Sequence, residues 1–193
     1  GIPMVVGLGN LAEVRSGEMI ADGIAGTLTI MPTAETVASA RVRVVAIMSA
    51  ARAAQARIAE PAVTLDGTPV KVMVNVSSLA DLSELDPAHI DGVGPVRTEF
   101  LVENSLLDEE LQYRTYAGIA EWAKGKPVTI RTFDAGGDKP VPGYTLDGEA
   151  NPFLGMRGIR LSLKHPDVFK VQLRAILRAA ALGPVRLMLP MVT

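Results

Sequence analysis

Hydrophobic positions in the first 33 residues come in short β-branched runs that glycines interrupt. Such runs predict strands joined by tight turns, and the two clearest candidates are residues 4–6 and 27–30. The segment 1–33 is too short to form a domain by itself. We therefore interpret it as a small β-rich part of a larger domain.

A single long amphipathic helix is predicted for residues 34–60. Thr33 can cap it, Glu35 lies in its first turn, and apolar residues recur at helical spacing until Pro61 ends the pattern. Its arginines lie mostly off the apolar stripe. We interpret this helix as a rigid connector between two bodies; a basic helix that binds RNA is the alternative.

From residue 61 to residue 193 the pattern alternates between strand and helix, which is typical of an α/β protein with a parallel sheet. A complete (β/α)8 barrel of the TIM type needs about 250 residues, so this region can form only the first half of one. Pro95 lies inside a predicted strand and lacks an N–H group, so we expect a local distortion there. The β-branched runs place the four strands at 70–76, 92–100, 128–133 and 185–192. Between them, Ser78 with Asp81 can cap a short helix, a second helix is predicted to open at 108–110, and a third to start at 166–167.

The composition is that of a folded protein with no strong electrostatic field. Of the 193 residues, 48% are hydrophobic and 21% are charged, and the net charge is −2. No basic surface is therefore available to recruit nucleic acid or an anionic membrane. The absence of cysteine excludes disulfides, thiolate metal sites and thiol nucleophiles, and makes the cytoplasm the expected location. Because the chain lacks an initiator Met and stops in an apolar run, we expect it to be part of a longer protein.

Charged side chains follow or end two of the predicted strands, with Arg97 and Glu99 in the second strand and Arg131 and Asp134 at the end of the third. Ligands of parallel α/β proteins gather at the carboxyl ends of strands, and a guanidinium group fits a carboxylate or a phosphate. The pattern therefore predicts an anion site. In the alternative, each arginine pairs with a neighbouring carboxylate such as Glu99 or Asp134.

Two further segments bring cations towards the same region. The run DAGGDKP at 134–140 places two glycines beside Lys139, without the spacing of a Walker A loop. The run NPFLGMRGIR at 151–160 adds Arg157 and Arg160. Four arginines near one edge of a sheet favour the anion site over simple packing.

Four motifs occur in an order that resembles the phosphoenolpyruvate-binding domain of Enzyme I of the bacterial phosphotransferase system. They are DGVGPVRTEF at 91–100, IRTFDAGGDKP at 130–140, EANPFLGMRGIR at 149–160 and QLRAILR at 172–178. The resemblance covers the whole chain and implies three parts. These are the C-terminal part of a swivelling phosphohistidine domain at 1–33, a linker helix at 34–60, and the N-terminal half of the phosphoenolpyruvate-binding barrel at 61–193.

The resemblance implies that the full-length protein moves the phosphoryl group of phosphoenolpyruvate (PEP) to an enzyme histidine with Mg2+ bound. It then passes the group to a histidine-containing phosphocarrier protein, in the transport of sugars or in a nitrogen-regulatory pathway, and works as a homodimer. Arg97 and Arg131 match the arginines that grip PEP, and Lys139 and Arg157 match positions that line the same pocket. A pyruvate phosphate dikinase, a PEP synthase or a non-catalytic half-barrel interaction module are the alternatives.

Several family features have no counterpart in this sequence. His89 and His165 fit neither the phosphohistidine motif nor its place, and we expect both on the surface or in loops. The Mg2+ ligands, a third substrate arginine and the cysteine that protonates the enolate belong to the second half of the family's barrel. We therefore expect no catalytic residue and no metal ligand in this chain, and an open half-sheet that a second copy or further chain covers.

Overall fold

The computed structural model describes residues 4–8, 17–101, 106–136, 141, 143–145 and 149–192. The chain divides into two compact units, Gly1–Ile58 and Ala59–Thr193. Each unit contains a β-sheet of its own. No described helix is both long enough and apolar enough to cross a membrane.

The first unit contains an antiparallel hairpin of β1 (Met19–Asp22) and β2 (Thr27–Ile30). Asp22 shapes the turn, since its Oδ1 accepts hydrogen bonds from the backbone N–H groups of Ile24 at 3.0 Å and Ala25 at 2.9 Å. The strand predicted at 27–30 is confirmed. The strand predicted at 4–6 is wrong, because those residues have no regular structure and no ladder partner among the described residues.

The long helix is present as α1 (Ala34–Ala56), and the Thr33 side chain caps it by accepting a hydrogen bond from Thr36 N at 3.2 Å. It ends four residues before the predicted residue 60, where Arg57 leaves the helical conformation. None of its residues is buried. Of the predicted apolar stripe, Val37 and Ala40 are half-buried and the residues from Val44 onwards are exposed.

The second unit is built on a four-stranded parallel sheet in the order β3-β4-β5-β6, which confirms the α/β class. The strands are shorter than predicted. They are β3 (Met73–Val76), β4 (Gly92–Arg97), β5 (Val128–Arg131) and β6 (Val185–Met188). The sequential order is that of neighbouring strands in a (β/α)8 barrel, whose closure stays a prediction.

Strand β4 is irregular at the expected place. Its pairing with both neighbours shifts register between Val93 and Val96, the stretch that contains Pro95. Proline has no N–H to donate to a ladder, so pairing is interrupted there. Immediately after Arg97 the chain turns into the short helix α2 (Thr98–Leu101), which is why the strand stops before the predicted residue 100.

Helices connect the strands and cover one face of the sheet. The predicted helix after Asp108 is α3 (Glu109–Trp122), and the predicted helix after His165 is α5 (Pro166–Ala179). The connection between β3 and β4 uses two short 3-10 helices, Leu79–Leu82 and Pro87–His89, and the first has the predicted Ser78/Asp81 capping box. The helix α4 (Gly158–Lys164) was not predicted from the sequence, because its surroundings are rich in glycine and proline.

The core lies between the sheet and these two long helices. Buried side chains from alternate strand positions pack against α3 and α5. Residues between those positions point to the opposite face of the sheet, which we call the open face. The buried set includes Val76, Val93, Val96, Val128, Ile130, Tyr116, Ile119, Ala175 and Ile176.

Candidate functional site: an arginine-lined strand edge

Arg97 and Arg131 are the last residues of the neighbouring strands β4 and β5, and their Cα atoms are register partners. Partners in a parallel ladder point to the same face. The preceding residues, Val96 and Ile130, are buried against the helices, so both arginines point to the open face. The sheet therefore brings these two predicted residues together at its carboxyl edge.

Arg131 is held by two carboxylates. Its Nη2 donates to Glu99 Oε1, and its Nη1 lies 3.2 Å from Asp134 Oδ2. The Arg131 side chain is 16% exposed, while Glu99 and Asp134 are 7% and 6% exposed. Of the two alternatives that the sequence left open, Arg131 therefore follows the second, in which an arginine pairs with neighbouring carboxylates. This pairing in a poorly exposed place fixes the orientation of the Arg131 guanidinium group.

Asp134 also binds the second arginine of the region. Its Oδ1 accepts a hydrogen bond from Arg157 Nε at 3.1 Å, while its Oδ2 faces Arg131. Arg157 is 6% exposed, and its guanidinium carbon lies 5.2 Å from the centre of the Phe153 ring. Glu99, Arg131, Asp134 and Arg157 thus form one continuous set of alternating charges, which we call the charge cluster.

A glycine makes this approach of two loops feasible. Gly136 has φ +117°, and a Cβ added there would lie 2.8 Å from the Cβ of Arg157. Any other residue at 136 would be strained and would push Arg157 away from Asp134. The charge cluster therefore depends on the Ala-Gly segment that follows Asp134.

Arg97 stands apart from the charge cluster electrostatically. It is half-buried, and among the described residues it has no ion pair and no side-chain hydrogen bond. Within the charge cluster the two carboxylates formally balance the two guanidinium groups, and Arg97 adds a positive charge that no described carboxylate pairs. A guanidinium group without a partner beside a fixed one is suited to bind an anion.

The remaining predicted cations of this region are Lys139 and Arg160. Lys139 lies outside the described residues. Arg160 donates from Nε to Gly155 O at 2.8 Å and from Nη1 to Met191 O at 3.4 Å. Arg160 therefore joins the loop before α4 to the chain after β6. This structural role differs from the part in the anion site that the sequence predicted for it.

The described contacts of the two histidines do not include the arginine pair. His89 is half-buried and ends the 3-10 helix that precedes β4, whereas Arg97 is at the opposite end of that strand. The ring of His165 packs on Tyr144, with centroids 4.8 Å apart, at the junction of α4 and α5. Among the described residues, no hydrogen bond, ion pair or ring contact joins either imidazole to Arg97 or Arg131.

Four buried polar side chains between the ends of β4 and β5 and the helices were not expected from the sequence. Thr98, Gln112, Tyr116 and Gln172 have no exposed surface. The signal was present in the helical spacing, because Gln172 shares a face of α5 with Val168, Ala175 and Ile176. Burial raises the pKa of the Tyr116 phenol, so this group stays protonated as a hydrogen-bond donor.

No group of three or more His, Cys, Asp or Glu side chains that could hold a metal ion occurs in the part of the chain that the structure describes. The two carboxylates nearest the arginines, Glu99 and Asp134, already bind Arg131. The described residues therefore do not fit a Mg2+ site.

Fold and site together define an α/β protein whose parallel sheet ends in an edge lined by arginines. Residues 51–193 match the family model described as PEP-utilising enzyme, PEP-binding domain. The chain belongs to this family.

Curated relatives match nearly the whole chain. The multiphosphoryl transfer protein of Rhodobacter capsulatus is 42% identical over an alignment of 196 residues. This alignment covers 99% of this chain and 24% of the relative. The phosphoenolpyruvate-protein phosphotransferases of Haloferax volcanii and Latilactobacillus sakei are 42% and 38% identical, over 100% and 99% of this chain and 34% of each relative. The chain thus spans about a third or less of the length of these relatives, and the resemblance predicted from the motifs is confirmed.

Proposed function

We propose that this chain supplies two of the substrate arginines of a phosphoenolpyruvate-protein phosphotransferase. The observation that carries the proposal is Arg97, a guanidinium group without a partner among the described residues, beside the fixed guanidinium group of Arg131. The names of the relatives support PEP as the substrate and a protein as the acceptor of its phosphoryl group. The acceptor of the second step is a histidine-containing phosphocarrier protein.

In this proposal Arg97 and Arg131 bind the oxygens of PEP while its phosphoryl group leaves. Charge spreads over the equatorial oxygens of that group in the transition state, and fixed cationic donors stabilise it. Glu99 and Asp134 keep Arg131 from reorienting during the transfer, so little reorganisation is needed. Arg157 contributes through Asp134, and Lys139 is a further proposed pocket residue.

The wider architecture is also part of the proposal. The four strands are the first half of a TIM-type barrel, residues 34–60 are the linker helix, and residues 1–33 belong to the phosphohistidine domain. The phosphorylated histidine belongs to a part of the protein outside this chain, as do the ligands of Mg2+. We further propose a cytoplasmic location and a homodimer for the full-length protein.

Phosphorylation from radiolabelled PEP tests the proposal. With Mg2+ present, the full-length protein should become labelled on a histidine and pass the label to a purified phosphocarrier protein. The 193-residue chain alone should stay unlabelled, because no described contact joins His89 or His165 to the arginines. An unlabelled full-length protein, or acid-labile phosphate on His89 or His165, contradicts the proposal.

The edge strand β6 gives a separate prediction for the isolated chain. At the β6 edge, Leu187 and Met188 are 47% and 42% exposed, and strand edges with such side chains tend to pair. We expect the isolated chain to self-associate at micromolar concentration. Sedimentation velocity combined with intact mass measures this, and a monodisperse 20.4 kDa monomer with a cooperative melt contradicts the half-barrel.

A further inference from the structure

Gln172 of α5 is a buried hub that joins the helix layer to the ends of two strands. Its Oε1 accepts a hydrogen bond from the backbone N–H of Phe133 at 3.1 Å. Its Nε2 donates to the Thr98 hydroxyl at 3.1 Å and to the Tyr116 hydroxyl at 3.3 Å. Gln172 has no exposed surface, so each of these bonds forms away from solvent.

The hydrogen bonds continue from Thr98 to the backbone of Arg131. The Thr98 hydroxyl accepts from Gln172 and donates to the carbonyl oxygen of Arg131 at 2.8 Å. Thr98 directly follows Arg97, and Phe133 directly precedes Asp134. One side chain therefore fixes backbone groups next to both arginines of the edge and next to the carboxylate that binds Arg131.

From the Tyr116 hydroxyl the hydrogen bonds continue along α3. The Tyr116 hydroxyl donates to Gln112 Oε1 at 3.2 Å, and Gln112 Nε2 donates to Leu106 O at 2.9 Å. The backbone N–H of Phe133 can only donate, so the oxygen of the Gln172 amide must face it and the NH2 group must face the two hydroxyls. A satisfied network of this kind makes the position of each member depend on the others.

An apolar side chain at position 172 would fill the same space on the sheet face of α5. It would leave Phe133 N–H without an acceptor, at the point where the chain leaves the sheet. The Phe133 backbone would then move to find another partner, and Asp134 and Arg131 would move with it. The amide is thus suited to control geometry at the edge as well as to pack.

We propose that Gln172, acting through Thr98 and Phe133, is a positioning residue that sets the spacing of Arg97 and Arg131 for the substrate. The proposal rests on the proposed function, since it takes PEP as the substrate. It extends the site to a side chain that does not itself touch the substrate.

Isosteric variants of the full-length protein test the proposal. Gln172→Leu and Thr98→Val each remove the polar link, and each should lower kcat per folded molecule about tenfold to a hundredfold, the effect of a small misplacement of binding groups. Thr98→Ser keeps the hydroxyl and should restore kcat to within about threefold of the unaltered protein. Thr115→Val is the matched control, because that buried hydroxyl donates only within α3, to Leu111 O at 2.9 Å, and kcat should not change.

Amide hydrogen exchange gives a readout that does not need activity. Exchange at Phe133 should accelerate in Gln172→Leu and stay unchanged in Thr115→Val. If Arg97→Ala abolishes transfer while Gln172→Leu and Thr98→Val behave like Thr115→Val in both assays, the positioning role is wrong and the proposed function stands. If the unaltered protein does not react with PEP, the proposed function fails and the positioning role for PEP fails with it.

Discussion

Replacing Arg97 by alanine is expected to lower PEP-dependent phosphoryl transfer by the full-length protein about a hundredfold or more, or about 3 kcal/mol. Arg97 has no ion pair and no side-chain hydrogen bond among the described residues, so its removal leaves no buried carboxylate behind. The melting temperature should therefore stay close to that of the unaltered protein. Arg97→Lys should recover only part of the rate, because an ammonium group lacks the planar fork of donors.

Steady-state transfer to a phosphocarrier protein measures this effect. Arg114→Ala is the control, because Arg114 is a 74% exposed arginine whose described partner is Glu110, one turn earlier on α3. Arg131→Ala should also lower the rate about a hundredfold. It should additionally lower the melting temperature, because it leaves Glu99 and Asp134 buried without their shared partner. A near-normal rate for Arg97→Ala would show that Arg97 does not bind the substrate.

Replacing Asp134 by alanine is expected to lower the free energy of unfolding by about 3–5 kcal/mol. The Asp134 side chain is 8% exposed and is bound on both oxygens, by Arg131 at 3.2 Å and by Arg157 at 3.1 Å. Its removal leaves the two guanidinium groups close together in a poorly solvated place. Asp134→Asn should be less damaging, since the amide oxygen can still accept one of the two hydrogen bonds.

Urea denaturation followed by circular dichroism measures the loss. Glu110→Ala is the matched control, because Glu110 is also bound by two arginines, Arg114 and Arg178, but on an exposed helix surface. Exposed ion pairs add little to stability, so this variant should unfold close to the unaltered protein. Equal stability of the Asp134→Ala and Glu110→Ala variants would show that the charge cluster is not a structural support.

Local sequence signals were sufficient for the elements that carry the arginines. β-branched runs and caps predicted all four parallel strands and the helices α1, α3 and α5, because these signals act over a few residues. Strand ends were less predictable. The run ending at Phe100 is apolar enough for a strand, but the chain turns into α2 after Arg97, where Thr98 and Glu99 find buried partners on β5.

Which arginine is engaged and which is available was decided by tertiary structure. The sequence placed Arg97 and Arg131 at the same edge, and it could equally have paired either of them with Glu99 or Asp134. The register of β4 on β5 and the turn into α2 put Glu99 against Arg131 and leave Arg97 aside. This outcome depends on the packing of segments more than 30 residues apart, which no local pattern encodes.

The sequence by itself determined the α/β class, the order of the strands along the chain and the residue types at the edge, because hydrophobic periodicity and motif spacing are local properties. Only the tertiary structure decided that Asp134 joins Arg131 to Arg157 and that Gln172 joins α5 to both strand ends. Such contacts need donors and acceptors from separate elements to meet at about 3 Å in the buried interior. Only the folded packing of α3, α5 and the sheet brings those groups together.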